Sequence, residues 1–145
     1  MTDNAAAVRE AIERLNAGDV EGYMSIYGEN CFFVGYPPDV PPTVEGVKAF
    51  YAELLDGIPD LTVEPIDLFP AGERVVVRYN VIGVHDGTLR EQIATGQRIA
   101  VEGVTILYFQ DGQVVLRVNR IDELTFMSQI GATETPGMTT PRSWS

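Results

Sequence analysis

The chain has 145 residues, of which 45% are hydrophobic and 21% are charged, a balance typical of one soluble globular domain and not of a disordered segment. Its 21 acidic and 10 basic residues give a formal net charge of -11, and no cluster of lysine or arginine interrupts the acidic excess. We therefore expect neither nucleic acid nor a membrane surface as a partner, because both would repel the protein.

The sequence also limits the cellular location and the cofactors that we expect. The first residues lack the basic and apolar regions of a secretory signal, and nowhere do roughly eighteen apolar residues occur together, so we expect a cytoplasmic protein. Cys31 and His85 are too few for a disulfide within the chain or for a metal centre. No glycine-rich phosphate-binding loop or dinucleotide motif occurs, and we expect no cofactor.

Apolar residues at helical spacing predict three helices in the first part of the chain, over residues 5–17, 19–28 and 43–57. Four prolines within residues 36–42 remove backbone N–H donors and predict a rigid loop between the second and third helices.

From residue 61 onward the pattern changes to the alternation of strands. Four strands are predicted, over residues 61–69, 73–85, 98–110 and 113–121, as an antiparallel meander with glycine-containing turns. A short last helix ends at Ile130. The sequence therefore predicts a single α+β domain over residues 1–131, followed by a loose tail over residues 132–145.

The last hairpin predicts one polar and one apolar face of the sheet. With Gly112 in a three-residue turn, residues of like parity on the two strands share a face. Thr105, Arg117 and Asn119 then share the face that we expect to line a pocket, together with Val101, Leu107 and Val115. The opposite face is apolar, and because the helices cannot cover both faces, we expect it to be buried in a homodimer. That outer face comprises Val104, Ile106, Tyr108, Val114, Leu116 and Val118.

A succession of short motifs extends over nearly the whole chain. It consists of NAGD at 16–19, PDL at 59–61, RVVVRY at 74–79, GVHDG at 83–87, TGQR at 95–98, DGQV at 111–114, Asp122, and QIG at 129–131. Each motif is weak alone, but their order and spacing resemble the SnoaL-like polyketide cyclases. The resemblance implies the NTF2-like cone fold, an α+β barrel in which N-terminal helices pack on a curved antiparallel sheet around one pocket.

The resemblance also implies a reaction. Cyclases of this family close a ring in a polyketide ester by an intramolecular aldol reaction, without metal or organic cofactor and with an aspartate as general acid and base. The position that matches this aspartate is Asn119, and the second aspartate of the family pattern matches Asp122. The family's histidine on the preceding strand corresponds to Thr105. An amide cannot act as a base at neutral pH.

Two functions follow as hypotheses. The first is a cofactor-independent enzyme for aldol cyclisation, isomerisation or a related proton transfer on a polyketide-like or polycyclic ketone. The alternative is a non-catalytic binding or accessory protein for an apolar small molecule, since Asn119 has replaced the catalytic aspartate.

Three residues are candidates for catalysis. Asp122 is the retained acid, but it is also well placed to cap the last helix with its carboxylate. A free histidine side chain has a pKa of about 6.5, which suits a base, so the lone His85 is a candidate; beside an Asp-Gly turn it could also be a structural hydrogen-bonding residue. Asn119 could donate a hydrogen bond to a ligand oxygen. The predicted substrate-binding residues, whose aromatic members could equally form core, are Tyr23, Tyr36, Phe50, Tyr51, Tyr79, Thr105, Arg117 and Phe126.

Overall fold

A computed structural model describes residues 3–132 as four helices and five strands. The predicted tail lies outside the described residues, except for Ala132. The elements are α1 (Asn4–Asn16), α2 (Val20–Met24), β1 (Tyr27–Val34), α3 (Val44–Gly57), β2 (Thr62–Ala71), β3 (Arg74–Val84), β4 (Arg98–Gln110), β5 (Gln113–Ile121) and α4 (Glu123–Gln129). The α+β class predicted from the sequence is confirmed.

Side-chain caps set the beginning of each helix. Asp3, Asp19, Thr43 and Asp122 each accept a hydrogen bond from a backbone N–H in the first turn of α1, α2, α3 and α4, respectively. Helix α2 is shorter than predicted, because the chain turns at Ser25 and then enters strand β1.

The five strands form one sheet in the order β1-β5-β4-β3-β2. Strands β2 to β5 are antiparallel neighbours, as predicted, but β1 pairs in parallel with β5, so the sheet is mixed and open and not wholly antiparallel. The sequence did not predict β1, because Glu29 and Asn30 interrupt its alternation and the pairing shifts register between Tyr27 and Phe32.

The turn between β4 and β5 differs from the prediction. Gln110 pairs with Gln113, and both residues between them have positive φ, 52° at Asp111 and 80° at Gly112, which makes a two-residue turn. A two-residue turn alone would place residues of unlike parity opposite each other. A register shift next to Tyr108 restores the like parity for the rest of the hairpin.

The register shift exchanges two valines between the faces of the sheet. Val114 is fully buried on the inner face, although we expected it on the outer face, and Val115 is exposed on the outer face, although we expected it in the pocket. Beyond the shift, Thr105 pairs with Asn119 and Leu107 with Arg117, as predicted. The prediction of which residues face the pocket is therefore correct for β4 and for most of β5.

Two helices are attached to the sheet by side-chain amides. Asn16, at the end of α1, exchanges two hydrogen bonds with the backbone of Val63 at 2.8 and 2.9 Å. Gln129, at the end of α4, does the same with the backbone of Ala100 at 3.0 and 3.1 Å. Both helices are thus held over the same face of the sheet. Within residues 3–132, no helix is long and apolar enough to cross a membrane.

The outer sheet face carries large apolar side chains that none of the four helices within residues 3–132 covers. Phe32 is 53% exposed and Val104 is 39% exposed, while Ile106, Leu116 and Val118 between them are half-buried. We propose that a second copy of the chain covers this face, because a contiguous apolar patch is costly to leave in water.

The substitution Ile106→Lys tests this homodimer. A lysine in the middle of the apolar face should yield monomers or insoluble protein, whereas Ala52→Lys, on the exposed side of α3, adds the same charge and should leave the oligomer intact. Sedimentation velocity measures the outcome. An unmodified protein that is monomeric at micromolar concentration would contradict the proposal.

Candidate functional site

An apolar cavity of about 440 Å³ lies between the inner face of the sheet and the helices. Its volume is in the range of small-molecule sites. All eight predicted substrate-binding residues, and Asn119, line it. Helices α1 and α3, which close the cavity opposite the sheet, add residues that the sequence did not single out, such as Ile12 and Leu54.

Arg117 is the charged group in the interior of this cavity. It projects from β5 and is 5% exposed. Its Nε donates to Thr105 Oγ1 at 2.9 Å, and its Nη1 donates to the hydroxyl oxygens of Tyr23 at 2.6 Å and Tyr27 at 2.8 Å. Its guanidinium carbon also lies 5.8 Å from the ring centre of Tyr36, within the range of a cation–π contact. Contacts from β4, α2, β1 and the loop that carries Tyr36 therefore fix the position of Arg117.

The Arg117 guanidinium has no carboxylate partner in the part of the chain that the structure describes. The ion pairs found there involve Arg14, Lys48, Arg78 and Arg90. The Nη2 group of Arg117 donates no hydrogen bond to these residues, although the guanidinium lies close enough to the Tyr79 hydroxyl to oppose the rise in the pKa of Tyr79 that burial causes. Burial opposes the charge, but the surrounding phenol oxygens hold the pKa of Arg117 well above its usual range. The cavity therefore contains a permanent positive charge with free donors.

Four of the tyrosines around Arg117 stay neutral at neutral pH. Burial raises the pKa of Tyr27, Tyr36, Tyr51 and Tyr79, although the charge of Arg117 acts in the opposite direction. Their hydroxyls can donate and accept hydrogen bonds, but they cannot supply a negative charge at neutral pH. The cluster is thus a set of polar groups around one cation, within apolar walls.

Asn119 is held by a phenol. Tyr79 donates its hydroxyl proton to Asn119 Oδ1 at 2.5 Å, so the amide nitrogen remains as the donor of this side chain. The tyrosine ring fits because residue 103 on the neighbouring strand is glycine, where a Cβ would lie 2.6 Å from the Tyr79 ring. Asn119 and Arg117 lie two residues apart on one strand and therefore face the same side of the sheet.

The mouth of the cavity is lined by residues that the sequence did not reveal. Arg90, in the loop between β3 and β4, forms an ion pair with Asp39 in the proline-rich loop and lies over the ring of Phe50. Gln92 and Glu123 also line the cavity. Arg90 and Gln92 lie in a loop without helical or strand periodicity, and Glu123 is the first residue of α4, so no pattern in the sequence indicated that these residues reach the cavity.

The family model of the SnoaL-like polyketide cyclases matches residues 5–130. The chain belongs to the SnoaL-like polyketide cyclase family. No curated protein matches the sequence significantly.

Solved structures with the same fold come from several bacteria. AclR, a proposed hydroxylase from Streptomyces galilaeus, is 24% identical with a TM-score of 0.79 over 90% of this chain and 96% of its own. A proposed SnoaL-like polyketide cyclase from Jannaschia sp. CCS1 is 24% identical with a TM-score of 0.74 over 92% and 97%. IdmH, a proposed polyketide cyclase from Streptomyces antibioticus, is 21% identical with a TM-score of 0.75 over 90% and 99%. At these identities the similarity establishes the NTF2-like fold alone.

In this SnoaL-like chain, Asp122 is a helix cap and does not line the cavity. Its carboxylate accepts hydrogen bonds from the Thr125 backbone N–H at 3.1 Å and from the Thr125 hydroxyl at 2.7 Å. Asp122 is also exposed to solvent. Of the two roles that the sequence left open, the geometry favours capping.

His85 is fully buried and is likewise not among the cavity-lining residues. Its Nδ1 lies 3.0 Å from Thr95 Oγ1 and accepts the Thr95 backbone N–H at 3.3 Å. Its backbone is bonded to Gln97 and Gly96. His85 therefore fastens the base of the loop between β3 and β4, which is the structural role that the sequence left open for it.

No group of three or more histidine, cysteine, aspartate or glutamate side chains suited to a metal ion occurs within residues 3–132. Cys31 is buried, and burial raises the pKa of its thiol to about 11. The thiol is therefore protonated at neutral pH and is a poor nucleophile.

Two substitutions at position 122 test the capping role. Asp122→Asn should lower the free energy of unfolding by well under 1 kcal/mol, whereas Asp122→Ala should lower it by about 1 kcal/mol, because asparagine caps nearly as well as aspartate and alanine does not cap. Chemical denaturation measures both values. Equal stability of the three proteins would contradict capping.

A substitution of Arg117 tests whether its buried guanidinium destabilises the folded protein. Arg117→Met keeps most of the side-chain volume and removes a buried cation without a carboxylate partner, so Tm should stay the same or rise. Leu15→Ala, in a fully packed part of the core, is the control and should lower stability by about 2–5 kcal/mol. Thermal denaturation measures the stability of both variants. If Arg117→Met lowers stability as much as the control does, Arg117 is a structural residue.

Proposed function

We propose that the protein is a cofactor-independent enzyme acting on a polyketide-like or polycyclic ketone. Its reaction is an aldol cyclisation, an isomerisation or a related proton transfer, and Arg117 and Asn119 hold the oxygen of the enolate that forms. The observation that carries this proposal is the buried Arg117 guanidinium, which faces an apolar cavity without a carboxylate partner among the described residues.

The chemistry of enolisation explains why such a group would be useful. When a proton leaves the carbon next to a ketone, negative charge develops on the ketone oxygen. A fixed cation in an apolar environment stabilises that charge far more than water does, because little reorganisation is needed and the effective dielectric constant is low. The free Nη2 donors of Arg117 and the amide nitrogen of Asn119 are suited to receive this oxygen.

The proton that leaves the substrate needs an acceptor. The described cavity lining contains two carboxylates, Asp39 and Glu123. Asp39 is paired with Arg90, whereas Glu123 forms no ion pair within residues 3–132. In this proposal the proton passes to water at the mouth or to Glu123, since Asn119 cannot accept it.

The second candidate function is that of a non-catalytic binding or accessory protein for the same class of ligand. It is favoured by one observation, the amide at position 119 in place of the aspartate of the family pattern. Because Asp122 caps a helix and His85 lies outside the cavity lining, neither supplies the missing base. The two functions share the ligand and differ only in proton transfer.

Deuterium exchange at the carbon next to a ketone distinguishes them. We expect the unmodified protein to accelerate exchange into 2-tetralone, a bicyclic ketone, in heavy water followed by NMR. Arg117→Met should reduce the protein-dependent rate at least tenfold, which corresponds to about 1.4 kcal/mol of lost enolate stabilisation. Asn119→Asp should increase it, because it restores a carboxylate base.

Arg98→Met is the matched control for this experiment. Arg98 is exposed at the start of β4 and does not line the cavity, so its loss removes the same charge without touching the site, and the rate should not change. If the protein binds the ketone by saturation-transfer NMR but does not accelerate exchange, the binding function is correct. Exchange that Arg117→Met leaves unchanged would exclude Arg117 as the enolate-binding group.

A further inference from the structure

We propose that the cavity takes its ligand as an oxyanion, the ionised form of an acidic enol or phenol on a flat polycyclic skeleton, and that this single oxygen is the counter-ion of Arg117. The inference deepens the proposed function and rests on the same role of Arg117 as the oxygen-binding group. It adds to the proposed function that the polycyclic ligand is bound through an acidic enol or phenol, in its ionised form.

The first argument is the charge balance of the interior. A buried guanidinium is costly for the fold unless a negative charge compensates it. The titratable groups around Arg117 come from α2, β1, α3, β3 and the proline-rich loop, and they are phenols and one thiol. They are Tyr23, Tyr27, Cys31, Tyr36, Tyr51 and Tyr79. Burial raises the pKa of Tyr27, Cys31 and Tyr51 and so favours their neutral forms. Among the described residues around Arg117, none supplies the missing negative charge. An anionic ligand is therefore attracted to the guanidinium without competition from a neighbouring carboxylate.

The second argument is the number of donors that remain. A carboxylate is bound best by two parallel N–H groups of the guanidinium. In Arg117, Nε is used by Thr105, and Nη1 is used by Tyr23 and Tyr27. Only Nη2 is free within the described structure. The geometry therefore fits an anion with one charged oxygen, such as an enolate or a phenolate, better than a carboxylate.

The third argument is the shape of the walls. The aromatic side chains around the cation form edge-to-face contacts, with ring centres 4.9 Å apart for Tyr23 and Tyr51 and 5.7 Å apart for Tyr36 and Phe50. Such rings offer flat apolar surfaces together with an edge that carries partial positive charge. A planar conjugated ligand matches these walls, and conjugation is also what makes an enol or a phenol acidic.

The step that this ligand undergoes on binding is simple. The O–H bond of the enol or phenol breaks, the proton leaves to water, and the electron pair stays on the oxygen that faces Arg117. Because the cation stabilises the ionised form, the ligand's own pKa falls in the site. A ligand that ionises in this way needs no carboxylate base in the interior, which accounts for an amide at position 119.

The test uses 1,2-dihydroxyanthraquinone, a planar phenol whose visible absorbance changes when it ionises. We expect the pKa of the bound dye to lie at least one unit below that of the free dye, and we expect Arg117→Met to abolish this shift. Arg98→Met is the charge-matched control and should keep the shift. Asn119→Asp should weaken binding of the ionised dye, because the new carboxylate competes for Arg117.

Matched ligands keep the test valid even if a variant fails to fold. The unmodified protein should bind the dye at least tenfold more tightly than 1,2-dimethoxyanthraquinone, in which both phenols are methylated and neither can ionise, and more tightly than anthraquinone-2-carboxylate. Equal affinity for the dye and its dimethyl ether would overturn the inference, as would a bound dye that remains neutral. Tighter binding of the carboxylate would overturn the assignment of a single-oxygen anion.

The dye has no exchangeable proton on carbon, so its binding is measured independently of catalysis. A lowered dye pKa without ketone exchange supports the oxyanion ligand and contradicts the enzymatic function. Ketone exchange that depends on Arg117, with a dye pKa that does not change, supports the enzyme and contradicts the oxyanion ligand.

Discussion

The site depends on one constraint, which is that Arg117 must remain charged inside an apolar cavity without a carboxylate beside it in the described structure. Its position is fixed by Thr105 on β4, Tyr23 on α2 and Tyr27 on β1. The parallel pairing of β1 with β5 brings Tyr27 to the guanidinium, and the pairing of β4 with β5 brings Thr105. The remainder of the core has to offset the cost of this arrangement, as it commonly does at functional sites.

The amide at position 119 is consistent with the same constraint. A carboxylate two residues from Arg117, on the same face of the strand, would itself neutralise the guanidinium and compete with any anionic ligand. Asn119 forms a short hydrogen bond with Tyr79 and leaves the charge of Arg117 to the ligand. Asn119 in place of the family's aspartate therefore fits a site that contains the Arg117 cation but no carboxylate base at position 119.

Much of the fold and of the cavity wall could be predicted from the sequence. Alternating polarity placed Thr105, Arg117 and Asn119 on one face, because the period of two along a strand leaves little choice of side. The strand β1 could not be predicted, since its alternation is interrupted and its pairing with β5 connects distant parts of the chain. The exchange of Val114 and Val115 was missed because a one-residue bulge has no sequence signature that distinguishes it from a longer turn.

Less of the chemistry of the site than of the fold could be predicted from the sequence. Asp122 and His85 are the residue types that perform proton transfer, but each is engaged by local hydrogen bonds that compete with such a role, and type alone does not reveal those partners. The residues at the mouth, such as Arg90 and Gln92, belong to a loop whose path depends on tertiary contacts with the proline-rich loop. That no carboxylate of residues 3–132 lies beside Arg117 is likewise a property of three-dimensional packing.

The most direct measurement is a crystal structure of the protein with 1,2-dihydroxyanthraquinone bound at neutral pH. The account predicts one ligand oxygen at about 2.7–2.9 Å from Arg117 Nη2, the distance of a charge-assisted hydrogen bond, with the ring system between the aromatic walls. A ligand whose oxygens face the mouth at Arg90, with its apolar end against Arg117, would contradict the account.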